Sequence, residues 1–179
     1  MNLPNLLTLF RVLLIPLFVI LIINKLFSWA IITFAVAGVT DAIDGLIARV
    51  THQRTELGAY LDPIADKLLL ASAFITLAIV ERIPSLLTVI VITRDVIILI
   101  GFLMFFLTNH RPKMSPSLLS KVTTFFQIST VLLFLLREYY PILALPSRLA
   151  IYGVVIFTTL AVIHYVYVGA QILNEKNNH

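Results

Sequence analysis

The chain has 179 residues, 60% of them hydrophobic and 12% charged, with a net charge of +4 and a mean hydropathy of +1.02. A soluble domain is nearer half apolar and a quarter charged, so this composition excludes an ordinary soluble fold and indicates an integral membrane protein, with 1–179 as one domain. Cysteine is absent, which excludes disulfides and thiol chemistry, and the modest positive charge fits loops facing anionic headgroups rather than a nucleic-acid surface.

A helical span needs about 20 apolar residues. Six stretches meet or approach this in chain order: Leu6 to Ile23, Trp29 to Ala48, Leu61 to Val80, Leu86 to Leu107, Leu118 to Leu136 and Leu149 to Val168. The expected fold is therefore all-α, a bundle of six transmembrane helices, because in lipid every backbone polar group must be satisfied internally. The first run has no charged leader or small-residue cleavage site, so it reads as a retained span. Pro16 should bend it. Pro84 stands where the fourth span begins, and Pro112 and Pro116 mark a basic, helix-poor loop. Pro141 and Pro146 should break the last connection, and the polar tail from Glu175 should fray.

The Lys/Arg distribution predicts the orientation. With both termini cytoplasmic, the inner side holds Arg11, Arg49, Arg54, Arg111, Lys113, Lys121 and Lys176. The outer side holds Lys25, Arg82, Arg137 and Arg148, while Lys67 and Arg94 fall inside spans. Trp29, Tyr139 and Tyr140 read as interfacial anchors.

Chemistry concentrates in one window. Of five aspartates in the chain, Asp41, Asp44, Asp62 and Asp66 lie within 26 residues. Asp41 and Asp44 are three apart at the end of the second span, and Asp62 and Asp66 are four apart near the start of the third, so each pair shares a helix face. A helical hairpin would bring the two faces together. Charged groups at bilayer depth are costly and usually functional. Four carboxylates this close could not all stay ionised without a counter-ion, and their oxygens suit a hard divalent cation such as magnesium or manganese. Two such ions about 3.5–4 Å apart can stabilise the attacking and leaving oxygens of an in-line displacement. Gly45 and Gly58 remove side chains beside the acids, Ala48 keeps that surface small, and Arg49 offers a fork for phosphate oxygens.

Asp41-x2-Asp44-Gly45-x2-Ala48-Arg49-x8-Gly58-x3-Asp62-x3-Asp66 resembles the signature of the CDP-alcohol phosphotransferase family, with all eight positions matching. The opening Pro4–Asn5–Leu6–Leu7–Thr8–Leu9–Phe10–Arg11 is similar to the family's N-terminal amphipathic segment. The resemblance implies that Asp41, Asp44, Asp62 and Asp66 are metal ligands and that Asp66 is also the general base. It implies nucleotide contacts at Gly45, Ala48, Arg49 and Gly58, CDP-diacylglycerol as donor, CMP as leaving group, and a homodimer. The expected setting is a bacterial inner membrane, with the site on the cytoplasmic side.

The resemblance implies a phosphate-bearing alcohol as acceptor. The short chain and the Leu61–Lys67 stretch resemble phosphatidylglycerophosphate synthases, which puts glycerol 3-phosphate first. Arg94–Asp95, Ser120–Lys121 and Thr123–Thr124 look more like the cardiolipin synthases of the family, whose acceptor is phosphatidylglycerol. Lys121, Arg94 and Arg111 are the candidate acceptor-phosphate contacts; Arg94 could instead be a structural ion pair with Asp95 or a clustered acid, and Arg111 an ordinary positive-inside residue. A cation transporter also places acids inside a bundle, but here the acids gather at one face with no matching set opposite.

Overall fold

The computed structural model describes the backbone of residues 3–50, 56–107 and 118–177, and the side chains of residues 6–41, 43, 64–100 and 118–167. Six long helices follow one another: α1 Leu3–Ile23, α2 Phe27–Val50, α3 Glu56–Ile79, α4 Ser85–Leu107, α5 Leu118–Leu136 and α6 Ala144–Asn177. A single 3₁₀ turn, Pro141–Leu143, leads into α6. No strand occurs among the described residues. Each of the six expected spans falls on one helix.

The distribution of side chains is that of a protein surrounded by lipid. Leu13, Trp29, Ile79, Leu86, Phe125 and Ile163 are exposed, while Arg11, Arg94, Gln127 and several threonines are buried. Among the described residues, and by length and composition alone, three segments suffice to cross a membrane: Leu6–Ile23, Leu118–Leu136 and Pro141–Tyr167. A shorter apolar helical stretch, Phe27–Asp41, lies within α2 among the described residues. Some buried threonines satisfy their hydroxyls on carbonyls one turn back, as Thr76 does on Ser72 and Thr130 on Phe126, so these polar side chains sit inside at little cost.

α1 packs on both α2 and α3, α4 on α3 and α6, and α5 on α6 with a lesser contact to α2. The core runs through Phe18 and Ile22 of α1, Phe34 of α2, Phe74 and Leu77 of α3, Leu87 of α4, Leu135 of α5 and Val154 of α6. Phe18 and Phe34 meet with ring centroids 5.5 Å apart. Thr88 of α4 donates to the Phe74 carbonyl of α3, and Thr123 of α5 to the Phe157 carbonyl of α6.

The α1–α2 and α3–α4 corners are built alike. Lys25 and Glu81 adopt left-handed φ of 60° and 57°. The next amide then reaches back to close the preceding helix, Leu26 N–H to Leu21 O at 2.8 Å and Arg82 N–H to Leu77 O at 2.8 Å. Arg82 also pairs with Glu138 at 2.7 Å and covers the Phe27 ring, and Ser28 and Tyr139 share a hydrogen bond of 2.6 Å. The α1–α2, α3–α4 and α5–α6 corners are thereby laced together at one end of the bundle.

Three local expectations are revised. The opening residues form no separate amphipathic segment: α1 is continuous from Leu3 through Pro16, and Arg11 is buried rather than interfacial. Pro146 does not break the last connection, because it lies in the first turn of α6, where no helical N–H is needed. The tail remains helical to Asn177 instead of fraying at Glu175.

Candidate active site

Asp41 and Asp66 lie at similar positions along α2 and α3. Asp41 is nine positions before Val50, the end of α2, and Asp66 is ten positions after Glu56, the start of α3. At 1.5 Å per residue, both acids lie about 14–15 Å in from those helix ends. Their side chains are 45% and 43% exposed, so both remain accessible from a cleft.

Arg11 joins them. Its Nη2 lies 2.9 Å from Asp41 Oδ1 and its Nη1 donates to Asp66 Oδ1 at 2.6 Å. Arg11 is 0% exposed and is the one charged residue in the sequence of α1. A lone guanidinium in an apolar helix would be strongly unfavourable, and two carboxylates from two other helices compensate it. One guanidinium against two carboxylates leaves the trio net negative, which suits an added cation.

An apolar cavity of about 150 Å³ opens beside the two acids. Phe34, Ala37, Gly38 and Asp41 line it from α2 at a spacing that shares one helix face. Asp66, Leu69 and Leu70 line it from α3, and Thr124 and Ile128 from α5. At Gly38 an added Cβ would meet nothing within 4 Å, so the wall is recessed there. The cleft thus offers carboxylate oxygens at one end and an apolar slot beside them.

A second polar knot forms on the other side of α3. Lys67 Nζ and Arg94 Nη1 both reach Asp95 Oδ1, at 2.6 Å and 2.5 Å, and Arg94 Nη2 donates to Ser120 Oγ at 2.8 Å. Arg94 is 1% exposed, the Asp95 side chain 14% and Lys67 37%. This knot ties α3, α4 and the first turn of α5 together.

The expected site residues distribute as follows. Asp41 and Asp66 converge. Asp44 falls on α2 and Asp62 on α3, as do Gly45, Ala48, Arg49 (α2) and Gly58 (α3), but their side chains lie outside the described residues. Arg111 lies outside the described residues altogether. Arg94 takes the ion-pair role with Asp95, and Lys121 is exposed on α5 with no ion pair among the described residues. Sequence reasoning missed Arg11 as a member of the acid cluster and Lys67 as the partner of Asp95. A legible signal existed for the first: one charge in a 21-residue apolar helix must find an acid.

The acids test well against a divalent cation. Carboxylates from two helices already converge on a single positive group, and an all-oxygen donor set is what a hard cation prefers. Two carboxylates do not complete such a site, and no group of three or more acid or histidine side chains gathers among the described residues. Asp44 and Asp62, on the same two helices, are the residues available to extend it.

The family model for CDP-alcohol phosphatidyltransferase matches residues 1–167. The chain belongs to that family. The CDP-alcohol phosphatidyltransferase relatives include the human cardiolipin synthase (CMP-forming), 39% identical over 121 residues, which are 67% of this chain and 39% of that protein. A CDP-diacylglycerol--glycerol-3-phosphate 3-phosphatidyltransferase of Bacillus subtilis is 30% identical over 194 residues, 98% of this chain and 99% of that protein. A probable phosphatidylglycerophosphate synthase of Mycobacterium tuberculosis is 41% identical over 102 residues, 52% of this chain and 48% of that protein. The chain thus spans less than half the length of the human and mycobacterial relatives and nearly all of the Bacillus one. Enzymes of this family use divalent metal ions, in keeping with the oxygen donors gathered here.

Proposed function

We propose that this chain is a CDP-diacylglycerol-dependent phosphatidyltransferase that transfers a phosphatidyl group to a phosphate-bearing glycerol alcohol and releases CMP. The observation that carries the reading is the cleft itself: carboxylates of α2 and α3 converge at the mouth of an apolar slot. An amphiphilic donor needs both features, with its diphosphate near the acids and part of its hydrocarbon in the slot.

Asp41, Asp44, Asp62 and Asp66 would hold magnesium or manganese, in one or two ions. When bound, the metal neutralises the diphosphate and stabilises the departing CMP. Asp66 accepts the proton of the acceptor hydroxyl. The hydroxyl oxygen then forms a bond to the phosphorus that bears diacylglycerol, as the bond from that phosphorus to the CMP oxygen breaks. Gly45, Ala48 and Gly58 would give the cytidine nucleotide a close approach to the backbone, and Arg49 would pair with its phosphates. The site opens to the cytoplasm, both termini lie on that side, and the protein works as a homodimer in a bacterial inner membrane.

For the acceptor we place phosphatidylglycerol first, reversing the order that the sequence suggests, because Arg94, Asp95 and Ser120, which look like residues of the cardiolipin synthases, are joined in one knot. Both terminal nitrogens of Arg94 are engaged, one by Asp95 and one by Ser120, and Lys67 shares the same carboxylate. Identity to the human cardiolipin synthase supports this choice. Glycerol 3-phosphate is the second reading, supported by the near full-length match to the Bacillus enzyme.

The test is CMP release by purified protein given CDP-diacylglycerol and manganese or magnesium, with phosphatidylglycerol and glycerol 3-phosphate in separate reactions. Cardiolipin should form in the first and little product in the second. A preference for glycerol 3-phosphate would reverse the acceptor assignment. Absence of CMP with both acceptors, or release that survives chelation, would refute the reaction itself.

A further inference from the structure

Arg11 has no part in the reaction as written above, yet it is buried and ion-paired to both acids of the site. It is fully buried, α1 packs on both helices of the acid hairpin, and each terminal nitrogen addresses a carboxylate from a different helix. A guanidinium is planar and rigid, so a fork that engages two acids also fixes their separation. Without it, Asp41 and Asp66 would face each other as uncompensated like charges at the cleft and would swing apart. Arg11 engages Oδ1 of both acids. A carboxylate has about four lone-pair positions on two oxygens, so each acid can hold the arginine and a second cation together.

From this we infer that Arg11 is a positioning residue for the transfer reaction: a fixed internal cation that holds Asp41 and Asp66 at the spacing used by the divalent metals, making α1 part of the active-site machinery. The inference rests on the metal-dependent reading above. It has a consequence opposite in sign to simple electrostatics. A positive charge beside a cation site should weaken metal binding, so removing it should tighten binding if charge were its whole effect. A positioning role demands the reverse, because scattered ligands bind a metal worse than held ones. Groups that orient metal ligands typically change affinity by about 10–100-fold when removed.

The experiment uses full-length protein in lipid nanodiscs, without substrate. Mn²⁺ is titrated and the free ion followed by its electron paramagnetic resonance signal, for wild type, R11Q, R11K and the lipid-facing control L13A, whose leucine is 63% exposed on the same helix. R11Q should bind Mn²⁺ about tenfold or more weakly than wild type. R11K, which restores the charge but not the planar fork, should also bind more weakly, and L13A should match wild type. In CMP-release assays at saturating Mn²⁺, R11Q and R11K should lose kcat, with a smaller change in the donor KM. R11Q binding Mn²⁺ as tightly as wild type or tighter would overturn the inference, and so would R11K restoring both affinity and kcat. If R11Q does not give monodisperse protein, R11K decides alone. Failure of both to fold would assign Arg11 to folding and overturn its positioning role. Wild type that binds no Mn²⁺ would instead remove the metal-dependent reading, and this inference with it.

Discussion

Replacing Asp95 by asparagine tests how the polar knot between α3, α4 and α5 is balanced. Asp95 takes hydrogen bonds from Lys67 at 2.6 Å and Arg94 at 2.5 Å, and Arg94 is 1% exposed. The D95N amide preserves shape and one acceptor oxygen but leaves a buried guanidinium without its counter-charge. Removing one partner of a buried ion pair costs about 3–5 kcal/mol, and the retained oxygen puts this case at the lower end, about 3 kcal/mol. For a chain of this size, 1 kcal/mol moves Tm by about 2–4 °C, so D95N should melt about 6–12 °C below wild type. The assay is thermal unfolding of purified protein in mild detergent. The double variant R94M/D95V separates charge from shape, because an apolar pair of similar volume is often neutral or stabilising in place of a buried ion pair. It should recover most of the lost Tm, since Lys67, 37% exposed, can carry its ammonium toward water. A D95N Tm within about 2 °C of wild type, or a double variant no more stable than D95N, would refute this account of the knot.

Other outcomes follow from the same geometry. D66N should lower kcat for CMP release by at least about 10²-fold while nucleotide binding persists in part, and full turnover would remove Asp66 from the base role. K121A should raise the acceptor KM more than the donor KM in steady-state assays, and equal effects would contradict its placement at the acceptor phosphate. G153A should destabilise the α5–α6 contact by about 1–3 kcal/mol in thermal unfolding. A methyl there would stand 2.5 Å from the Phe126 ring, which is stacked on Phe157 at 4.9 Å; an unchanged Tm would show that the ring can move aside.

The amino-acid sequence by itself determined the membrane setting, the six helices and the position of the acids along α2 and α3, because these depend on local properties. Apolar runs of bilayer length must be helical whatever surrounds them, and Asp41 and Asp66 share faces with their neighbours through helical repeat alone. Pro146 misled because a proline's effect depends on its position within the turn, and a boundary misplaced by a few residues changes its meaning.

Cross-helix pairing required the tertiary structure. Arg11 counts as one more positive-inside residue until α1 is seen packed across α2 and α3, and its partners lie 30 and 55 residues away. Arg94 is equally ambiguous in sequence, since its neighbour Asp95 could serve as partner or bystander; Ser120 of α5 and Lys67 of α3 decide the matter. The physical reason is common to both cases. A buried charge must be compensated, but its composition and spacing along one helix do not say which other helix supplies the opposite charge.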